Sequence, residues 1–159
     1  MLFLGSLVNR YARRLGLGEV VFASFEMMIS SAKASRQPDI FFVRREHLDR
    51  LSQDRLDGPA DLVIELVSDS STKLDRDDKF HEYQTAGIPE YMIIDSRPRR
   101  HRVEYYLLDG QGKYLPILPD ALGRYHSTVL PGFWLDPAWL WQDPLPDDAE
   151  LVQEMLARK

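Results

Sequence analysis

The segment 61–68, DLVIELVS, constrains the fold more than any other part of the chain. Five of its eight residues are Leu, Val or Ile, and a short apolar run of this kind reads as a strand covered on both faces. Glu65 stands inside it. An ionised carboxylate without a partner is very costly in an apolar interior, so it either takes up a proton or acquires a cation. Side chains alternate along a strand, which puts Asp61, Val63 and Glu65 on one face and Leu62, Ile64 and Leu66 on the other. The fold must therefore deliver a partner to the Glu65 face.

Two kinds of partner are open. Asp39 follows Pro38 in PDIFFV, residues 38–43, which reads as a second apolar strand with Pro38 at its first position. Two acids converging from adjacent strands repel each other unless a cation lies between them, and oxygen ligands of this type suit magnesium or manganese. The alternative is a plain ion pair with an Arg or Lys from a neighbouring element. Downstream, SDSSTKLDRDDKFHEYQTAG carries N-cap candidates, acids in its early turns and Gly87 at its end, followed by Pro89, and so predicts a helix. Asp75, Lys79 and Tyr83, spaced by four, share one face of it. Either Asp75 and Lys79 form a surface ion pair with Tyr83 packed beside them, or Lys79 reaches down to the carboxylates. EYMIID, 90–95, is the next strand, and strand–helix–strand implies a parallel pair joined by a right-handed crossover.

The rest of the chain fits around that unit. Leu4, Leu7, Val8, Tyr11 and Leu15 recur at helical spacing, and Gly16 or Gly18 ends the helix. Residues 19–30 predict one strand, and 45–58 a short helix and a loop closing on DGP. Residues 102–108 and 113–118 flank the hairpin signal DGQG. FWLDPAWLWQDP is aromatic and broken by proline, and DDAELVQEMLARK predicts a terminal helix. The expected architecture is α/β or α+β, a mixed central sheet with helices packed against it, in a single domain spanning 1–159.

Composition closes off several function classes. The chain has no Cys, which excludes a disulfide framework, a thiolate metal site and a Cys nucleophile, and fits a cytoplasmic protein. No run of about 18 apolar residues is present, so no transmembrane helix is expected. The net charge of −5 weighs against a protein that coats nucleic acid. It leaves a nuclease open, because acidic metal ligands lower the count while a local basic patch survives. RPRRHR, 97–102, is such a patch, or else a solvated turn between strands.

RQPDIFFV followed by GPADLVIELVSDSSTKLDRDDKFHEYQTAGIPEYMIID resembles the Uma-two family of restriction-endonuclease-like proteins, within the PD-(D/E)xK nuclease superfamily. Pro38 and Asp39 match its first element. Asp61, Glu65, Ser68 and Ser71 match the second, and Asp75, Lys79, Tyr83, Ala86, Gly87, Glu90, Tyr91 and Asp95 the remainder. LPGFWLDPAWLW is similar to its closing segment. The chain departs from the pattern in PAD for PD, in Asp69 where Pro is preferred, and in starting at the first long helix. The family's hairpin region before that helix is expected to be missing.

The resemblance implies a restriction-endonuclease-like fold and metal-assisted hydrolysis of phosphodiester bonds in DNA. It implies Asp39 and Glu65 as ligands to Mg or Mn, together with the Leu66 carbonyl. Val67 stands where the superfamily lysine would be, so Lys79 takes that role. Asp61 is a further candidate and Tyr83 a support for Lys79. A catalytically inactive binding or assembly module on the same scaffold is the alternative. Cutting both strands would favour a homodimer.

Overall fold

The computed structural model describes residues 2–29, 34–68 and 73–157, with the backbone alone described for 34 and 73–75. The first helix, α1 (Leu2–Leu15), buries the stripe Leu4, Leu7, Val8 and Tyr11 and ends where Gly16 adopts φ 61°, a conformation open to glycine. Then follow β1 (Gly18–Phe22), β2 (Glu26–Ile29), β3 (Ala34–Arg36), β4 (Ile40–Arg44), a 3-10 turn over Arg45–Arg50, and β5 (Arg55–Asp57). The central unit is β6 (Leu62–Val67), α2 (Lys73–Ala86) and β7 (Glu90–Asp95). After it come β8 (Arg102–Leu108), β9 (Tyr114–Pro116), β10 (Tyr125–His126), β11 (Trp134–Leu135), a 3-10 turn over Pro137–Trp141 and α3 (Asp148–Ala157).

A six-stranded sheet carries the order β1-β4-β6-β7-β8-β9. Its β6–β7 pair is parallel and the pairs β1–β4, β4–β6, β7–β8 and β8–β9 are antiparallel, so the sheet is mixed, as the crossover required. Both faces of β6 are covered, which explains its near-continuous apolar sequence. Leu62 and Ile64 pack with α1, α3 and the aromatic C-terminal segment, including Trp134 and Trp139. Val63 and Val67 pack on the other face with Tyr83 of α2 and with Met27, Ile29 and Leu56 of a small three-stranded sheet, β3-β2-β5.

Three expectations change. Residues 19–30 are not one strand: β1 pairs with β4 as far as Phe22 opposite Ile40, and the chain then bends so that β2 pairs with β3 and β5 in the small sheet. Both halves read alike, a Glu followed by three apolar residues in EVVF and EMMI, so the sequence carries no sign of the change of sheet. The loop assigned to 45–58 contains β5, whose three residues are too few to show a period. Pro38 precedes its strand rather than opening it. RPRRHR is a turn in which Arg97 bonds back to Asp95 Oδ2 at 2.6 Å and His101 stacks on Trp141 at 4.4 Å.

Candidate functional site

The antiparallel register sets Ile40 opposite Ile64, and this is the last pair of the β4–β6 ladder. One step further, Asp39 meets the stretch of β6 at Glu65 and Leu66. There the Asp39 side chain replaces a main-chain partner, and its Oδ2 accepts the Leu66 amide at 2.7 Å. Glu65 is 7% exposed. It points to the α2 side of the sheet, because Val63 and Val67 of the same alternation pack there.

The crossover helix supplies its partners. Lys79 Nζ lies 3.0 Å from Glu65 Oε2, and the Tyr83 hydroxyl donates to Oε1 at 2.7 Å. Both come from the helix face read from the spacing of four. The two carboxylate oxygens are therefore divided between a cation and a neutral donor. Burial pushes the Glu65 carboxyl above its ordinary value; Lys79 and Tyr83 pull it back in part, and the Asp39 charge adds to the rise. Tyr83 is fully buried, and burial and the neighbouring Glu65 push its phenol well up, so it stays protonated and keeps donating. On the outer side of α2, Arg36 of β3 holds Glu82 through two bonds of 2.6 and 2.7 Å, which ties the helix to the small sheet.

Asp39, Glu65, Leu66, Lys79 and Tyr83 thus converge. Asp61 does not. It lies four residues along the strand from Glu65, about 13 Å at strand rise. Its oxygens accept the Arg44 amide at 2.8 Å and face His47 Nδ1 at 2.9 Å. The Asp75 side chain and Ser71 lie outside the described residues, and with them the proposed Asp75–Lys79 pair. A cavity of about 10 Å³ beside Glu65 is lined by Leu66, Arg76, Lys79 and Tyr91 among others. Arg76 was not singled out in the sequence. Its spacing of three from Lys79, which puts both on one helix face, is the signal that could have found it.

The sequence profile of the Uma2 family, described as "Putative restriction endonuclease", matches residues 2–138. The chain belongs to the Uma2 family. A crystal structure from Anabaena variabilis, described as "a putative nuclease belonging to DUF820", is similar in fold. Its TM-score is 0.67 at 14% identity, over 87% of this chain and 75% of that one. No curated protein matches the sequence. Uma2 membership and the shared fold support a nuclease, and the Asp39–Glu65–Lys79 convergence lies in the segment that carries the Uma2 resemblance. Among the described residues, no helix is long and apolar enough to cross a membrane.

The donors at Glu65 are few but of the kind that suits a divalent cation. Among the described residues, no group of three or more His, Cys, Asp or Glu side chains gathers, so these residues alone form no all-side-chain cage. Asp39 and Glu65 offer hard carboxylate oxygens. The Leu66 carbonyl leaves the strand on the same edge as the amide that Asp39 binds. Two carboxylates and a main-chain oxygen fit Mg or Mn, which retain waters and take few protein ligands. The incompletely compensated charge of Glu65 favours the same fit.

Proposed function

We propose that the chain is a divalent-metal-dependent endonuclease that hydrolyses phosphodiester bonds of DNA. Asp39, Glu65 and the Leu66 carbonyl hold the metal, and Lys79 is the catalytic cation. The observation that carries this reading is the seating of Asp39 on the Leu66 amide at 2.7 Å beside a buried Glu65 that Lys79 already reaches at 3.0 Å. When bound, Mg or Mn supplies Lewis acidity to a phosphoryl oxygen and neutralises charge there. The chain's own groups do the rest. Asp39, fixed through Oδ2, keeps Oδ1 for coordination. Tyr83 fixes the rotamer of Glu65 through Oε1. Lys79 would orient the attacking water or meet the negative charge that grows on the phosphoryl group.

The test is a cleavage assay on duplex DNA with Mg or Mn, alongside thermal unfolding with and without metal. Cleavage and a metal-dependent rise in Tm are expected, with both lost in Asp39→Ala and Glu65→Ala, and cleavage alone lost in Lys79→Ala. Cleavage that survives all three substitutions would refute the assignment. A second reading draws on the same Lys79–Glu65 pair. If the ammonium simply neutralises the acid, the fold is an inactive binding or assembly module, and neither metal effect should appear.

A further inference from the structure

Arg76 lies one turn before Lys79 on α2 and lines the cavity beside Glu65. Among the described residues it makes no ion pair and no hydrogen bond, and its Nε is buried without a partner. Buried donors of a charged group are costly to leave unmet, so each such case needs an account. Glu65 is not that partner: its hydrogen bonds go to Lys79 and Tyr83, and none goes to Arg76. The other buried and unmet guanidine nitrogen, on Arg50, lies beside Gly58, away from the site.

A second feature gives Arg76 a direction. A groove of about 270 Å³ is lined by Arg76 and Ile93 together with Phe80, Tyr106 and Arg102. It shares Arg76 and Ile93 with the cavity at Glu65, so the two adjoin at these residues. The charges further along are balanced or solvated: Arg102 pairs with Glu104 at 3.3 Å, and Asp77 is exposed. The unspent charge at the junction belongs to Arg76. A planar fork of donors beside a phosphodiester site matches phosphate oxygens, and the aromatic floor suits the sugar–base side of a strand.

We propose that Arg76 is a phosphate-binding residue that grips the phosphate next to the one cleaved, and that the nucleic-acid strand leaves the site along the groove toward Arg102. This rests on the nuclease reading above. The full chain is titrated, without divalent metal, with a fluorescent duplex oligonucleotide and its single strand over a salt series. Arg76→Ala is compared with Arg14→Ala, an exposed arginine of α1 on the opposite side of the sheet. Arg76→Ala should weaken binding roughly tenfold to a hundredfold and lower the salt slope by about 0.9 for duplex. Arg76→Lys should keep the slope and recover part of the affinity, and Arg14→Ala should change neither. Thermal unfolding of each variant checks folding, and should Arg76→Ala fail to fold, Arg76→Gln and Arg76→Lys carry the comparison. If wild type binds and cuts while the Arg76 variants match Arg14→Ala, the Arg76 assignment falls and the nuclease reading stands. If wild type neither binds nor cuts nucleic acid, the nuclease reading falls and takes Arg76 with it.

Discussion

Glu65 and Glu90 lie on neighbouring parallel strands and are both buried, yet they are treated in opposite ways. Glu90 is 0% exposed and faces the α1 side of the sheet. It accepts from the Tyr105 hydroxyl, from Ser127 Oγ at 2.7 Å, from the Thr128 amide at 2.5 Å and hydroxyl at 2.7 Å, and from the Val129 amide at 3.1 Å. Every donor is neutral, and the acceptor capacity of both oxygens is used. Glu65 receives one neutral donor and one ammonium, has a second carboxylate beside it, and keeps lone pairs in reserve. A buried acid saturated with fixed donors ties strand to loop. A buried acid left short of donors keeps acceptor capacity for a further partner.

The largest expected effects separate the two by readout. Glu65→Ala should reduce cleavage by more than about a hundredfold, since even outer-shell changes at metal sites cost 10–100-fold. It should cost only about 1–2 kcal/mol of stability, because Lys79 reaches solvent and Tyr83 alone is stranded. Glu90→Ala should do the reverse. It strands hydroxyls and amides from four residues and should cost about 3–5 kcal/mol, while the protein that remains folded binds metal normally. Denaturant titration and a manganese titration of both variants test this contrast, and equal losses in both assays would erase the distinction.

The next effect is one of pH. The folded value of the Glu65 carboxyl lies above its unfolded value because burial outweighs Lys79 and Tyr83. Below both values the group is protonated in either state and contributes nothing. As pH rises through the interval its ionisation costs stability. Metal-free wild type should therefore lose Tm relative to Glu65→Gln as pH climbs out of the carboxylate range, and Mn should close that gap, since the ligand must be deprotonated to bind. Tyr83→Phe sharpens the same experiment. It removes a bond that lowers the Glu65 value, so the acid limb of metal binding should move to higher pH, at a stability cost of about 1 kcal/mol.

Much of the Glu65 site could be read from the chain because its signals are local. The acid inside an apolar strand demands a partner, and Lys79 and Tyr83 share a face by spacing alone. The strand–helix–strand order then lays that face over the sheet. The Glu90 site could not be read so. All of its donors but Tyr105 come from residues 37 to 39 positions later in sequence, and Ser127 and Thr128 look like any loop hydroxyls. The break between β1 and β2 was hidden because both pieces read as a Glu followed by an apolar run. Arg76 was hidden inside DRDDK, where a charge run reads as a solvated face. Periodicity put Asp61 on the Glu65 face but says nothing of distance along the strand, and distance decides its role.

Asp61 yields the smallest expected effect and the cleanest control on the comparison. It is a third buried acid, 3% exposed, on the strand that carries Glu65. Its oxygens close the far end of the β4–β6 ladder by accepting the Arg44 amide at 2.8 Å, and they face His47 Nδ1 at 2.9 Å. Like Glu90, it serves structure through nearby donors. Asp61→Asn keeps an oxygen for the Arg44 amide and removes the charge that faces His47. It should cost about 1 kcal/mol and leave metal affinity and cleavage unchanged within twofold, roughly the noise of such assays. If Asp61→Asn instead abolished metal binding while the protein stayed folded, the ion would have to be shared along the strand rather than across the ladder end. The division between the donor-saturated acids and the donor-poor one would then fail at its nearest test.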